Sequence, residues 1–140
     1  MPRVLAIDYG IKRCGIAMSD PLKKIANACA VWPPDVVMEK LKKWIPEKEI
    51  DTIVVGYPVN MRSKKTEITK RVDVFVEQLV QTFPHIKIET LDERFTSKMA
   101  DQTMLWMQIK KSERQKKENT DLIAASILLQ DYLDFYSPKP

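Results

Sequence analysis

The sequence has few of the residues that build cysteine and histidine metal sites. Its 140 residues include two cysteines and one histidine, and no CxxC pair. This composition excludes the common structural zinc sites, which need four such ligands. No N-terminal segment resembles a secretion signal, so we expect Cys14 and Cys29 to be buried free thiols of a cytoplasmic protein. We expect His85, which follows Pro84, to lie in a solvated loop.

Long apolar runs are also missing. No stretch approaches the roughly 20 apolar residues that cross a membrane, so we expect no membrane-bound form. Apolar residues make up 44% of the chain and charged residues 30%, which is typical of a globular protein. The formal net charge of +4 is compatible with a nucleic-acid partner without requiring one. The length fits one domain, and we predict a single domain over residues 1–140.

Glycine is scarce, with three residues where average usage would give roughly ten. They are Gly10, Gly15 and Gly56, and they lie near the first predicted hairpin or at the end of the fourth predicted strand. Glycine is needed there either for a tight turn or for the close approach of a ligand to the backbone. The sequence leaves both explanations open.

Three short apolar runs at the start of the chain predict three strands joined by turns. They cover residues 3–7, 14–18 and 25–31, and the short connections favour an antiparallel meander. The β-branched run 52–55 (TIVV) is typical of a central parallel strand. A fifth strand is predicted over 86–91.

Helical spacing predicts the elements between and after the later strands. The first helix has Asp35 as its candidate N-cap and ends before Pro46, and the second covers 68–80. A short helix is expected over 96–107, and the last runs from about 120 to 135. This order predicts an α/β fold with a mixed five-stranded sheet. Its first three strands are antiparallel and the remainder parallel, with helices on both faces.

Carboxylates follow two of the predicted strands and begin the last helix. Asp8 follows the first strand, Asp92 and Glu93 follow the fifth, and Asp121 stands in the first turn of the last helix. Because ligands of open α/β sheets bind at the carboxyl ends of the strands, these acids can converge at one edge. Each also has an ordinary explanation as a turn residue, a loop acid or an acid favoured at a helix N-terminus.

Carboxylates packed closely together repel one another unless a cation lies between them. Their oxygens are the ligands that Mg²⁺ or Mn²⁺ prefers. Such ions activate water and stabilise the attacking and leaving oxygens in phosphodiester hydrolysis. The acids therefore predict a metal-dependent nuclease.

Cationic side chains occur in separate loop segments around the proposed acidic centre. Backbone phosphates need such groups, although a solvated charged surface is the alternative explanation for each segment. The candidate nucleic-acid-binding residues are Lys12, Arg13, Arg94, Lys110, Lys111, Lys116 and Lys117.

A resemblance to the YqgF family, also called the RuvX family, runs through nearly the whole chain. It rests on four segments in this order: AIDYGIKRCGIAMSD, VVGYPVNM, LDERFTS and TDLIAASILLQDYL. The resemblance implies a ribonuclease-H-like fold and a nuclease (a hydrolase acting on ester bonds) that processes the 5′ end of pre-16S ribosomal RNA. By motif, it implies that Asp8, Glu93 and Asp121 are the catalytic acids and metal ligands, with Asp92 as the alternative to Glu93.

Several functions stay open at this point. The first is a nuclease for structured RNA such as pre-16S rRNA, dependent on Mg²⁺ or Mn²⁺. The second is a Holliday-junction-type DNA resolvase, and the third is a non-catalytic RNA-binding factor in ribosome biogenesis. An actin-like ATPase is disfavoured because the chain has one such domain and lacks a P-loop. The oligomeric state stays open between a monomer and a weak homodimer.

Overall fold

A five-stranded sheet in the order β3-β2-β1-β4-β5 forms the centre of the fold. The structure, a computed structural model, describes residues 2–57, 67–92 and 117–135. Its strands are β1 Arg3–Asp8, β2 Cys14–Ser19, β3 Ala26–Trp32, β4 Ile50–Tyr57 and β5 Lys87–Asp92. The helices in the described ranges are α1 Pro34–Lys48, α2 Glu67–Thr82 and α3 Lys117–Phe135.

The pairing of the strands confirms the predicted mixed sheet. β1 pairs with β2 and β2 with β3 in antiparallel fashion, whereas β1 pairs with β4 and β4 with β5 in parallel. As the TIVV run predicted, β4 lies between two parallel neighbours. The carboxyl ends of β1, β4 and β5 therefore lie along one edge of the sheet, which we call the carboxyl edge, at Asp8, Tyr57 and Asp92.

Helices cover both faces of the sheet, as predicted. Side chains alternate between the two faces of a strand, so neighbouring residues of β1 enter different cores. Leu5 and Ile7 pack with α1 and α2, whereas Val4 and Ala6 pack with α3. Burying a large apolar side chain stabilises a fold by about 1.5–3 kcal/mol, so these two cores hold the helices against the sheet. No helix in the described ranges is long and apolar enough to cross a membrane.

Two predictions about α1 were wrong. The helix does not end before Pro46 but continues to Lys48, and the next residue, Glu49, adopts the left-handed conformation at φ 54°. Proline removes one backbone donor, and the burial of Val37 and Leu41 on the same helix compensates for that loss. Asp35 is not the N-cap, because Pro33 holds that position without a side-chain hydrogen bond. Asp35 lies instead in the first turn, where the helix dipole favours an acid.

The prediction for the cysteines was half right. Cys14 is buried and forms no disulfide, as predicted, but Cys29 is exposed. Cys29 lies on edge strand β3 where the register with β2 shifts, so Ala28 and Ala30 have partners and Cys29 has none. An unpaired residue of this kind is a β-bulge, which removes a side chain from the regular alternation. His85 is exposed in a turn, as predicted. The helix predicted over 96–107 lies outside the described residues.

Candidate functional site

Asp8 stands at the centre of the carboxyl edge. It is the last residue of β1, which lies between β2 and β4, and it pairs with Gly15 of β2. The four residues before it are buried, whereas Asp8 itself is half-buried. A carboxylate deep in the strand would carry a large desolvation cost. At the strand end it can keep one side open to water or to a bound ion.

The alternation of β1 separates Asp8 from the residue after it. Asp8 is in series with Val4 and Ala6, which belong to the α3 core. Tyr9 is in series with Leu5 and Ile7 and packs against the core of α1 and α2. The site that Asp8 can form is therefore shared with α3.

A side-chain amide fixes the direction in which α3 crosses the sheet. The Gln130 side-chain oxygen accepts the backbone N–H of Ala26 at 2.9 Å, and its Nε2 donates to the carbonyl oxygen of Lys24 at 2.9 Å. Ala26 pairs with Ser19, whose Oγ accepts the N–H of Val4 at 2.9 Å. The later part of α3 therefore lies at the amino end of β1, and we infer that its earlier part extends toward the carboxyl edge.

The length of α3 before Gln130 matches the length of β1 before Asp8. Asp121 precedes Gln130 by nine residues, which is roughly 13 Å along a helix. Val4 and Asp8 are four residues apart, which is also roughly 13 Å along a strand. Ala125 and Leu128, four and seven residues after Asp121, are both buried against the sheet.

Small side chains fill the contact between the middle of α3 and strands β1 and β2. Ala6 of β1 lies opposite Ala17 of β2, one pair before Ile7 and two before Asp8. Ala124 and Ala125 are buried on α3, and Ala125 packs into the same core as Ala6 and Ala17. Because these residues have only a methyl group, the helix and strand backbones can approach closely beside Asp8.

The structure describes only part of the predicted acidic cluster. Asp92 ends β5 and pairs with Tyr57, so its backbone lies on the carboxyl edge two strands from β1, roughly 10 Å away. Asp121 lies within α3. Glu93, with the cationic residues Arg94, Lys110, Lys111 and Lys116, lies outside the described residues. Among the described side chains, no three acidic, histidine or cysteine groups form a metal-binding cluster.

The β1–β2 turn places two of the predicted cations at this edge. Lys12 is exposed and Arg13 is half-buried, and both follow Asp8 within the same hairpin. A side chain on Gly10 would collide with the carbonyl oxygen of Arg13. The tight turn alone therefore accounts for Gly10, which was one of the two explanations that the sequence left open.

Sequence reasoning missed two residues that shape this region. Gln130 is polar within the apolar pattern of the last helix, and that interruption was the available signal. Tyr9 lines a cavity of about 490 Å³ on the α1 and α2 side of the carboxyl edge. Burial raises the pKa of the Tyr9 phenol, with Cys14 contributing, and the charge of Arg71 acts in the opposite direction. Nothing in the sequence alone indicated this cavity.

Known proteins resemble this chain over almost its full length. The model of the RuvX family, described as "Holliday junction resolvase", matches residues 2–135. A Bacteroides thetaiotaomicron protein named "Putative pre-16S rRNA nuclease" is 40% identical over 134 residues, which cover 96% of this chain and 97% of that protein. A Flavobacterium psychrophilum protein of the same name is 41% identical over 133 residues, covering 95% and 97%.

Solved structures share the fold at low sequence identity. RuvC of T. thermophilus, in complex with a Holliday junction substrate, has a TM-score of 0.61 and 12% identity, with 100% of this chain and 99% of that chain covered. The yeast mitochondrial Holliday junction resolvase Ydc2 has a TM-score of 0.53 and 12% identity, with coverage of 96% and 81%. These likenesses confirm the predicted ribonuclease-H-like sheet. With the family match over residues 2–135 and relatives at about 40% identity, the chain belongs to the RuvX family, as its motifs predicted.

Proposed function

We propose that this protein is a metal-dependent nuclease that hydrolyses phosphodiester bonds of structured RNA, with pre-16S rRNA as its substrate. The observation that carries the proposal is the position of Asp8 at the carboxyl end of β1, the central strand, on the sheet face that α3 covers. The names of the bacterial relatives support RNA as the substrate. The proposal treats residues 1–140 as one domain and places the activity in the cytoplasm, where bacteria process ribosomal RNA.

The proposed metal ligands are Asp8, Glu93 and Asp121. The family motif favours Glu93, and Asp92 is the alternative. Two earlier residues of β5 face α3, because Leu91 packs into the α3 core and Glu89 is hydrogen-bonded to Tyr132 of α3. Carboxylate oxygens fit Mg²⁺ or Mn²⁺, and both ions bind proteins through a few such ligands.

The chain's own residues have two tasks in this proposal. The three acids hold the ion at the edge of a rigid sheet, so that their positions are fixed before the substrate arrives. When bound, such an ion activates water and stabilises charge on the phosphate oxygens. The second task is to hold the backbone phosphates on either side of the scissile bond. The proposed contacts are Lys12, Arg13, Arg94, Lys110, Lys111, Lys116 and Lys117.

A second candidate function is cleavage of branched DNA. It is favoured by the description of the family model and by the fold shared with RuvC. The proposed acids hold a metal ion and the proposed cations contact backbone phosphates. Such contacts do not distinguish ribose from deoxyribose. The two substrates therefore have to be compared directly.

The test compares the wild type with Asp8→Asn and with Asp20→Asn as the matched control. Asp20 follows β2 at the opposite end of the sheet, so its variant makes the same chemical change away from the proposed site. Each protein is incubated with pre-16S rRNA or a four-way DNA junction in Mg²⁺ or Mn²⁺. We expect RNA cleavage by the wild type and Asp20→Asn. We expect Asp8→Asn to lose at least about 100-fold in rate, because even outer-shell partners of a metal site are worth 10–100-fold.

Equal cleavage by the wild type and Asp8→Asn would contradict the proposal. Preferential cutting of the DNA junction would support the resolvase. Tight RNA binding by both proteins without cleavage would support the non-catalytic assembly factor. Circular dichroism and thermal unfolding of each variant show that any lost activity does not reflect an unfolded protein.

A further inference from the structure

A groove lies beside the proposed metal site, on the other side of the carboxyl edge. Tyr9 directly follows Asp8, but the alternation of β1 turns it toward α1 and α2. There it lines a cavity of about 490 Å³ between the start of α1 and the first half of α2. This volume is within the range of pockets that bind small ligands. Its lining includes Tyr9, Asp35, Glu67, Lys70, Arg71 and Val74.

One wall of the groove is an aromatic side chain held in place by the core. The Tyr9 ring lies 4.9 Å from the ring of Phe75, centroid to centroid, at an interplanar angle of 38°. Phe75 is buried, so it fixes the position of the Tyr9 ring. The Tyr9 hydroxyl is a hydrogen-bond donor at the lining of the groove.

Two exposed cations of α2 reach the same groove. Lys70 and Arg71 both line it, together with Tyr9. The Nε of Arg71 lies 3.6 Å from Oε1 of Glu67, and both side chains are largely exposed. An exposed pair of this kind contributes little stability, so the guanidinium can exchange Glu67 for a phosphate at small cost.

The lining also contains groups that a bare anion would not need. Val74 is 55% exposed and presents an apolar surface on α2. Asp35 and Glu67 supply acceptor oxygens and balance the charge of the two cations. An apolar surface, acceptors and cations together match a nucleotide, which combines a flat base, donor groups and a phosphate.

We propose that this groove binds a single-stranded nucleotide next to the scissile bond, with its phosphate held by Tyr9, Lys70 and Arg71 and its base along Val74. The inference rests on the proposed function, because it requires the substrate strand to pass Asp8. Asp8 and Tyr9 are consecutive residues on opposite sides of one strand. A nucleic-acid strand that crosses the carboxyl edge at Asp8 therefore enters the groove directly.

The test measures binding of a fluorescein-labelled oligouridylate by fluorescence anisotropy over a series of salt concentrations, with EDTA present to prevent cleavage. The variants are Lys70→Gln and Arg71→Gln, and the matched control is Lys43→Gln, which removes an exposed lysine of α1. For single strands, log affinity falls with log salt concentration, and each phosphate contact makes this slope steeper by about 0.7. Because both cations hold one phosphate, we expect a variant with both changes to lose about that much and each single variant to lose part of it, whereas Lys43→Gln should keep the wild-type slope.

Tyr9→Phe tests the hydroxyl separately. It keeps the ring against Phe75 and removes the donor, so we expect weaker binding with an unchanged slope. The same slope for the groove variants, the control and the wild type would overturn the inference. The proposed nuclease is tested by Asp8→Asn cleavage, so the two can fail separately. Changed slopes without RNA cleavage would support nucleotide binding in the groove and reject the nuclease. Unchanged slopes with cleavage that depends on Asp8 would support the nuclease and reject binding in the groove.

Discussion

The two faces of the sheet are built from side chains of different size. The face toward α1 and α2 uses large apolar residues, both in the strands and in the helices. The face toward α3 uses alanine where the helix approaches the carboxyl edge. The large residues are Leu5, Ile7, Ile53, Leu41 and Leu79, and the small ones are Ala6, Ala17, Ala124 and Ala125.

We infer from this difference that one face mainly stabilises the fold and that the other positions the proposed site. Each buried methylene contributes about 0.8 kcal/mol, so the alanines contribute much less than leucines would. In return, α3 can lie close to β1 beside Asp8. Larger residues return further along the helix at Leu128, Leu129 and Tyr132, where no acids need to meet. The α1 and α2 face mainly stabilises the fold, and the α3 face mainly positions the site.

The largest effect on Mn²⁺ affinity is expected from enlarging a small residue on the α3 face. Truncating a large residue on the opposite face is the matched comparison. Ala125→Leu should cost about 1–3 kcal/mol by overpacking and displace the start of α3, so Mn²⁺ affinity should fall at least about tenfold. Leu41→Ala should cost more, about 2–5 kcal/mol, yet leave Mn²⁺ affinity unchanged. Urea unfolding measures the stability, and calorimetric titration measures the affinity. If Mn²⁺ affinity fell in both variants in proportion to the lost stability, the two faces would not differ in their roles.

A smaller effect is expected at the anchor of α3. Gln130→Ala leaves the N–H of Ala26 and the carbonyl of Lys24 without their side-chain partner, at a cost of about 1 kcal/mol. We also expect a severalfold loss of Mn²⁺ affinity, because α3 is less firmly held along the sheet. Ser126→Ala is the control, since in the described part of the chain that hydroxyl donates within α3, to the carbonyl of Ile123 at 2.8 Å. If the two variants bind Mn²⁺ alike, Gln130 has no positioning role.

The smallest effect, a pH-dependent change in thermal stability, is expected at Asp20, at the end of the sheet opposite the carboxyl edge. The Asp20 carboxylate accepts the N–H groups of Ile25 and Lys24 at 2.8 Å and of Leu22 at 3.2 Å. These bonds, that of Ile25 foremost, hold the pKa of the carboxyl below its usual value. A lowered folded-state pKa stabilises the protein above the unfolded value of about 3.9, and this stabilisation is lost as the pH falls further.

Asp20→Ala should therefore lower the Tm at neutral pH, and the difference from the wild type should narrow below about pH 4. Thermal unfolding across this pH range measures it. A difference that stays constant with pH would mean that the carboxylate charge is not responsible. Metal affinity should be unchanged in this variant, because Asp20 lies far from the carboxyl edge.

Much of the sheet could be predicted from local pattern. The TIVV run is apolar on both faces because β4 is covered by helices on both sides. For the same reason β1 shows no alternation of polar and apolar residues, since both of its faces are buried. The errors arose where tertiary structure overrides a local rule. Pro46 stays within α1 because that helix is anchored by the core, and the exposure of Cys29 depends on a register shift between β2 and β3.

The candidate site was predictable only in part. Acids at strand ends indicated that Asp8 and Asp121 could meet, and the direction of α3 supports it. That direction depends on Gln130, whose partners Lys24 and Ala26 are more than a hundred residues away in sequence. The groove at Tyr9 depends on how α1 and α2 sit on the sheet, which no local pattern reveals. Whether Glu93 completes the site stays a prediction.

The central claim is that the two ends of the chain bring carboxylates together around one divalent ion. A crystal structure of the protein soaked in Mn²⁺, with anomalous diffraction data, tests it most directly. The account predicts one anomalous peak bound by carboxylate oxygens of Asp8, Glu93 and Asp121 at roughly 2.0–2.2 Å, close to the distances that Mg²⁺ adopts. Side chains of Asp8 and Asp121 that point to different parts of the molecule, with no peak between them, would contradict it.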